Sequence, residues 1–186
     1  MDETVQHIIA RCQQGDKEAF RWVVRMHQRM VFSLALKMLC DEEEAKDVVQ
    51  DTMLRAWLHI GSYDPRNALS TWLYTIASRL CLDRLKRMRR IVPLAADEQV
   101  LQRLAADTDH HAELENREWV AVVRLMANGL SRKQKWVFTL CELEGLSIDE
   151  AVQITGMTAK QVKDNLHVAR QKVRRKLTKL GYEQRG

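Results

Sequence analysis

Only two prolines and seven glycines occur in 186 residues. A many-stranded β architecture needs turn residues every ten positions or so, and this scarcity excludes it. The same scarcity excludes collagen-like and linker-dominated chains. Long apolar runs are missing too. A stretch such as Met30 to Leu36 is far short of the roughly 20 residues that cross a bilayer. The opening Met-Asp-Glu-Thr is acidic where a secretory signal is basic, so a cytoplasmic chain with no membrane insertion is expected. The four cysteines, Cys12, Cys40, Cys81 and Cys141, form no CxxC pair, and no His stands at metal-ligand spacing to any of them. That excludes a dense disulfide framework and argues for reduced, structural thiols. There is no Gly-rich phosphate loop, no GxSxG and no HExxH. The chain is therefore read as not an enzyme, with no metal, cofactor or small-molecule substrate.

What is present is charge in blocks and a helical period. The formal net charge of +5 is unevenly spread. Residues 79–90 hold six basic and one acidic side chain, and residues 119–186 hold thirteen basic and six acidic. Between them, residues 91–118 hold two basic and seven acidic. Two cationic blocks separated by an anionic one imply two polyanion-facing surfaces joined by a segment that is neither.

Apolar side chains recur at helical spacing from Phe20 through Val23, Val24, Met30, Val31, Leu34, Ala35 and Met38. Asp16 stands before this run as a cap. A second helix starts at Asp41, with Glu42, Glu43 and Glu44 at the positive end of its dipole. It carries Val48, Val49, Met53, Leu54 and Trp57 as its apolar stripe and stops near Gly61. Residues 61–70 hold Gly, Pro65 and Asn67 and read as a loop. A third helix follows Ser70, with Trp72, Leu73, Ile76, Leu80 and Leu85 on its stripe. The basic side chains at its end suit a helix C-terminus. Pro93 breaks the pattern. Residues 93–115 are acidic and Ala-rich and read as a linker, in which His110-His111 is a solvated pair rather than a metal site because no third ligand is in view. A further helix bears Trp119, Val122, Val123 and Met126 and ends at Asn128-Gly129. The expected fold is all-α: two small helical domains joined by a linker, with boundaries 1–92, 93–115 and 116–186.

Three hydroxyl residues in the second half are each followed three positions later by Gln or Glu: Ser131 and Gln134, Ser147 and Glu150, Thr158 and Gln161. This is capping-box spacing, and it predicts three helices with sharp entries. Between the last two helices lies a turn of about three residues containing Gly156, the mark of a helix-turn-helix. The final helix keeps Val162, Leu166, Ala169, Val173 and Leu177 for packing. Lys160, Lys163, Asp164 and His167 then occupy its front turns, where base edges are reached. Arg170 and Arg174 lie further along, suited to phosphates. The plain alternative is a solvated basic face on a C-terminal helix.

Upstream, Arg79, Arg84, Lys86 and Arg87 are too many charges to bury together and suit a phosphate backbone. In the loop before them, Tyr63, Asn67 and Ser70 are able to stack on or hydrogen-bond an unpaired base. By residue type alone an ordinary surface loop is the favoured reading.

In this order the residues resemble the extracytoplasmic-function (ECF) sigma factors, the smallest bacterial kind of the sigma-70 family. Gly15-Asp16-Lys17-Glu18-Ala19-Phe20 is similar to the family's Gly-Asp-x-x-Ala-Phe. Ala45-Lys46-Asp47-Val48-Val49-Gln50-Asp51 is similar to its Ala-Glu-Asp-Val-Val-Gln-Glu. Trp72 to Ala77, Asp83 and the basic run resemble the part that reads the minus-10 element. Glu144-Gly145-Leu146-Ser147 through Gly156, then Val162-Lys163 to Arg170, resembles the part that reads the minus-35 element. The resemblance implies a subunit that binds core RNA polymerase and directs promoter-specific initiation. Asp47, Gln50, Asp51 and Arg55 would meet the β′ clamp helices, and the second domain would sit on the β flap. Trp72, Arg79, Arg84 and Arg87, with the loop, would hold the melted minus-10 element. An anti-sigma factor is the further partner implied. The chain departs from the family at Arg79, where Asn is common, at Val152 for Ala, at Asn165 and Val168, where Arg is frequent, and at His27, where Tyr is usual. His27 is read as a partly buried packing residue. The competing reading is a stand-alone dimeric helix-turn-helix regulator.

Overall fold

The computed structural model describes residues 3–91 and 129–179. Among the described residues every regular element is helical. Helices α1 (Glu3–Gln13), α2 (Lys17–Leu39), α3 (Glu42–His59) and α4 (Leu69–Ile91) form the first unit, with a 3-10 turn at Ile60–Ser62 after α3. Helices α5 (Arg132–Phe138), α6 (Ile148–Thr155) and α7 (Ala159–Lys179) form the second, with a π-helical turn, Thr139–Leu143, after α5. The expected linker, His110-His111 and the helix ending at Asn128 lie outside the described residues.

Capping sets the entries. One Asp16 oxygen accepts the N–H groups of Glu18 and Ala19 at 2.9 and 3.1 Å. The other binds Arg11 at 2.6 Å, which ties α1 to the start of α2. Asp41 accepts from the Glu44 N–H at 3.0 Å and opens α3. All three capping boxes form reciprocally, at Ser131/Gln134, Ser147/Glu150 and Thr158/Gln161.

Burial then follows the helical period. Val31, Leu34, Ala35 and Met38 of α2 are fully buried, against Val48 and Ala56 of α3 and Leu73 and Ala77 of α4. Phe20 and Trp57 close one end of this core, ring centroids 5.1 Å apart. In the second unit Val137, Leu140, Ile154, Val162 and Ala169 are buried. Cys12, Cys40 and Cys81 are buried, Cys141 is half-buried, and all four are free thiols. Burial pushes the Cys81 thiol up to about 12, so it stays protonated and inert at neutral pH. His27 is half-buried, and the same desolvation holds its imidazole below the usual range.

Four features differ from the sequence expectation. Helix α1, with Ile9 and Cys12 buried, precedes the first helix foreseen. Helix α4 starts at Leu69 rather than after Ser70. The π turn interrupts what reads in sequence as ordinary helix. Leu54, placed on the buried stripe of α3 by its apolarity, is 57 % exposed. A four-helix packing leaves one strip of α3 uncovered, and Leu54 lies on it.

The two units touch. Helix α4 packs on α6, and α2 packs on the π turn.

Core position and exposed apolar position have different energetic consequences. Leu34→Ala should cost about 3 kcal/mol, from lost transfer energy and the cavity left behind. Leu54→Ala should stay within about 0.5 kcal/mol. Urea unfolding of the two variants beside the parent checks both values.

Candidate nucleic-acid interface

The helix-turn-helix is built by a sequence of local bonds. Helix α6 ends at Gly156, whose φ of +69° is left-handed and whose N–H reaches the Val152 carbonyl at 2.9 Å. A side chain is strained in that conformation, which is why Gly closes the helix. Thr155 Oγ1 donates back to the Ala151 carbonyl at 2.6 Å and accepts the Met157 N–H at 3.2 Å. The Thr158 box then starts α7.

Helix α7 presents the expected two faces. Val162, Leu166, Ala169 and Val173 are buried, and Leu177 is half-buried. Opposite them Lys160, Lys163, Asp164, His167, Arg170 and Arg174 are all exposed. At three- and four-residue spacing they share one strip. Its first turns carry mixed donors and acceptors and its later turns carry arginine. The strip is not free throughout. Arg170 is held at 2.6 Å by Glu142, on the π turn. His167 Nε2 lies 2.9 Å from the Gln171 amide nitrogen. Lys172 turns away from the strip and donates to the Gly129 carbonyl and Gln134 Oε1 at 2.9 and 3.0 Å, so it is a strut within the unit. Glu142 and Gln171 were not legible as site residues. Only the fold brings Glu142 to Arg170, although Gln171 stands at i+4 from His167.

The second surface lies on α4 and the loop before it. Tyr63 is buried. Its hydroxyl donates to the Asn67 carbonyl, and its ring tilts against Trp72 with centroids 5.1 Å apart. The ring is thus a support for the loop and not an open stacking platform, which corrects its place among base-contacting candidates. Burial is also the main reason its hydroxyl is held above the usual phenol range, with Asp64 adding to the effect. Asp64 bonds the Arg66 side chain at 2.7 Å and its N–H at 3.0 Å. Gln13 of α1 donates to the Ile60 and Tyr63 carbonyls at 3.1 and 3.4 Å. The loop is therefore pinned at both ends, with Asn67 exposed and Ser70 and Trp72 half-exposed at its rim. Arg79 and Arg87 point to solvent.

Arg84 does not join them. It is 15 % exposed and bonds Glu44 at 2.8 Å and Asp51 at 3.0 Å, both on α3. Sequence placed Arg84 with the DNA-facing cations and Asp51 with the polymerase-facing residues, and the structure spends the two on each other. The reason is geometric: Arg84 lies on the side of α4 turned to α3, where a charge has to be paired.

The third surface is the uncovered strip of α3. Asp47, Gln50 and Arg55 are exposed and Asp51 is half-exposed. At four-residue spacing the same strip carries Leu54 and Leu58, 57 % and 67 % exposed. An amide, carboxylates, an arginine and two bare leucines thus share one exposed strip of α3. The leucines were missed because apolar periodicity alone cannot tell a core stripe from an interface stripe. Among the described residues no group of His, Cys, Asp and Glu could hold a metal ion, and no helix is long and apolar enough to cross a membrane.

Comparison with known proteins finds two family matches along the chain. Residues 23–91 match the family described as Sigma-70 region 2, and residues 121–173 match Sigma-70, region 4. The chain is 27 % identical over 187 residues to the ECF RNA polymerase sigma factor SigW of Bacillus subtilis, covering 97 % of this chain and all of that one. It is 31 % identical over 163 residues to the ECF RNA polymerase sigma factor SigM of Mycobacterium tuberculosis, covering 88 % of this chain and 79 % of that one. In fold it is similar to CnrH, solved in complex with the cytosolic domain of CnrY, with a TM-score of 0.68 at 24 % identity over 92 % of this chain and 95 % of that one. It is also similar to the sigma factor RpoE of Bartonella quintana, solved with the anti-sigma factor NepR, with a TM-score of 0.65 at 21 % identity over 86 % and 96 % of the two chains.

The capping box of α6 has a pH signature. Hydrogen bonds from Ser147, its backbone N–H first, hold the Glu150 carboxyl below its usual 4.5. A carboxyl lowered by folding adds stability that is present above pH 4.5 and lost as the pH falls through the folded value. Thermal midpoints of the parent should therefore decline in acid below about pH 4.5. Glu150→Gln keeps the box without the titration and should show a shallower acid decline.

Proposed function

The chain belongs to the sigma-70 family, within its extracytoplasmic-function branch, and from that premise we propose how its three surfaces share the work of an RNA polymerase sigma factor. The α3 strip of Asp47, Gln50, Leu54, Arg55 and Leu58 docks on the β′ clamp helices of core polymerase. The leucines supply desolvated anchors and the polar groups supply register. The carboxylate of Asp51 shares this role with its inward bond to Arg84. The second domain rests on the β flap, and the front of α7 enters the major groove of the minus-35 element. There Lys160, Lys163, Asp164 and His167 meet base edges, and Arg174 meets phosphate. Arg170 joins them once its bond to Glu142 exchanges for a phosphate oxygen.

At the minus-10 element the loop captures an extruded base. Asn67 and Ser70 offer hydrogen bonds, Trp72 offers a partly open ring, and Tyr63 keeps the loop rigid. Arg79 and Arg87 hold the backbone of the separated strand. Unstacking a base costs a few kcal/mol, offset by these contacts. The role is binding and strand capture in the cytoplasm rather than catalysis. An anti-sigma factor, of the kind that binds RpoE of Bartonella quintana, fits the exposed α3 strip as a competitor of polymerase.

The observation that carries this reading is the separation of surfaces. The recognition strip of α7 and the amide-and-leucine strip of α3 lie on different units, each opposite its own buried core. A stand-alone dimeric regulator would need only the first.

The test separates them. Lys163→Ala with Arg174→Ala should leave core binding unchanged in a pull-down. The same pair should lower run-off transcription from a cognate promoter at least tenfold and make promoter binding by holoenzyme less sensitive to salt. Asp47→Ala with Leu58→Ala should weaken core binding at least tenfold. Loss of the same step by both pairs would overturn the division.

A further inference from the structure

Helix α2 carries a cationic face that none of the three surfaces above uses. It holds five basic side chains and one carboxylate, Glu18. The charge of the whole unit hides this, because the first 78 residues hold nine basic and eleven acidic side chains. Lys17, Arg21, Arg25 and Arg29 follow one another at four-residue spacing, so they share one ridge, and all four are exposed. Each step along the ridge rises about 6 Å, and the whole spans about 18 Å. Arg21 pairs with Glu18 at 2.9 Å. Among the described residues Lys17, Arg25 and Arg29 have no ion-pair partner. The fifth cation, Lys37, is spent further along. With Ser33 and Tyr74 it forms a notch that holds the Glu144 carboxylate of the second unit at 2.6 to 2.9 Å.

Like charges at four-residue spacing destabilise a helix. Three such pairs in a row, with one carboxylate to offset them, are a standing cost that a polyanion would remove. Two neighbours say which polyanion. Met26 is 58 % exposed, and Trp22 is half-exposed. Each stands three residues before an arginine of the ridge, and the two stand four apart, so cations and apolar side chains adjoin. A phosphate backbone meets the first kind and the face of an unstacked base meets the second. Duplex DNA keeps its base faces covered, and an acidic protein surface offers carboxylates without such faces. The combination fits a single strand. At 3.4 Å per nucleotide of a helical strand, each step of the ridge spans about two phosphates.

The ridge also starts where the loop does. Phe20 of α2 meets Trp57 in the last turn of α3. Gln13, four residues before Lys17, donates to the Ile60 and Tyr63 carbonyls. The N-terminal end of α2 and the start of the loop thus lie at the same end of the bundle.

We propose that the outer face of α2, Lys17, Arg21, Arg25 and Arg29 with Trp22 and Met26, is a third nucleic-acid surface, which carries the separated promoter strand onward from the loop toward the start site. The proposal rests on the assignment of the loop to the minus-10 element.

Fork-junction DNA bound by the holoenzyme tests it. One fork ends its single strand at the minus-10 element. A second adds about eight nucleotides toward the start site, longer than the ridge at 3.4 Å each. The parent should bind the longer fork at least tenfold tighter than the shorter one. Arg25→Gln with Arg29→Gln, which removes two charges and keeps good helix formers, should lose most of that gain and bind the shorter fork as the parent does. Its salt slope on the longer fork should fall by about 1.4, at 0.7 for each phosphate contact on a single strand. Met26→Ala should weaken the longer fork at least threefold, and an unchanged affinity overturns the base contact. A gain from the added nucleotides that the double variant keeps overturns the proposal, and so does a parent that gains nothing from them. Weaker binding of core polymerase by the double variant in a pull-down overturns it too, and marks the ridge as a protein contact. Should the double variant lose helical circular-dichroism signal, Arg29→Gln alone should lose at least threefold of the gain, and a full gain there overturns the proposal equally. A parent that fails to bind even the shorter fork overturns instead the minus-10 assignment, and the proposal falls with it.

Discussion

A carboxylate taken out of water has to find its donors inside the protein, and the donors Glu144 finds all lie on the other unit. Removing one partner of a buried charge pair costs about 3–5 kcal/mol, because the remaining charge is left without compensation. The pair as a whole contributes much less, since its Coulomb gain is largely spent on desolvation. An interface centred on such a pair is therefore strict about geometry and modest in net strength. It fixes which surfaces meet without making them inseparable, and a chain whose partners are larger assemblies needs both properties. The π turn carries this constraint in backbone form. One wide turn after Phe138 ends the helix at Leu143 and sets Glu144 against α2 and α4. Such turns recur at functional positions because they aim a side chain that regular helix would point elsewhere.

The same accounting of charges orders the first unit. Arg84 lies between α3 and α4 and gives its two bonds to Glu44 and Asp51, leaving Nη1 buried without a partner. Helix α4, with Arg79 and Arg87 exposed, is thereby tied to α3, with Leu54 and Leu58 exposed. Asp51 is thereby one ion pair away from α4. Loop 61–68 is anchored by Gln13 from α1 on one side and by the Tyr63–Trp72 contact on the other. A loop held in this way is ordered in advance, so whatever it meets does not bear the entropy of ordering it.

Local signals in the sequence carried the fold a long way. Capping boxes at Ser131, Ser147 and Thr158 form with the spacing that names them, because each involves only neighbours in sequence. The core stripe of α7 and its exposed front were equally legible, since one helical period decides both. What the sequence could not show depends on contacts between distant elements. Leu54 and Val48 are both apolar members of one amphipathic helix, and only the packing of α2 and α4 decides that Val48 is covered and Leu54 is not. Arg84 and Arg87 belong to one basic run, and only the side of α4 each occupies decides that the first is paired inward and the second faces solvent. Tyr63 is a stacking residue by type and a support by position. Glu144 was legible as part of a motif, but its partners lie about 70 and 110 residues away in sequence.

This division between local and distant information has a physical consequence for how such a chain evolves. The α7 front is exposed and makes few bonds to the rest of its unit. Its exposed side chains, Lys160, Lys163 and Asp164, are therefore exchangeable at little cost to stability, since surface substitutions away from special features stay within about 0.5 kcal/mol. The Glu144 notch, the Arg84 bridge and the Tyr63 support are each coupled to two or more elements, and coupled sites do not change independently. The exposed α7 front is thus the part of the molecule least tied to its stability, while the contact between the two units sits on the part most tied to it.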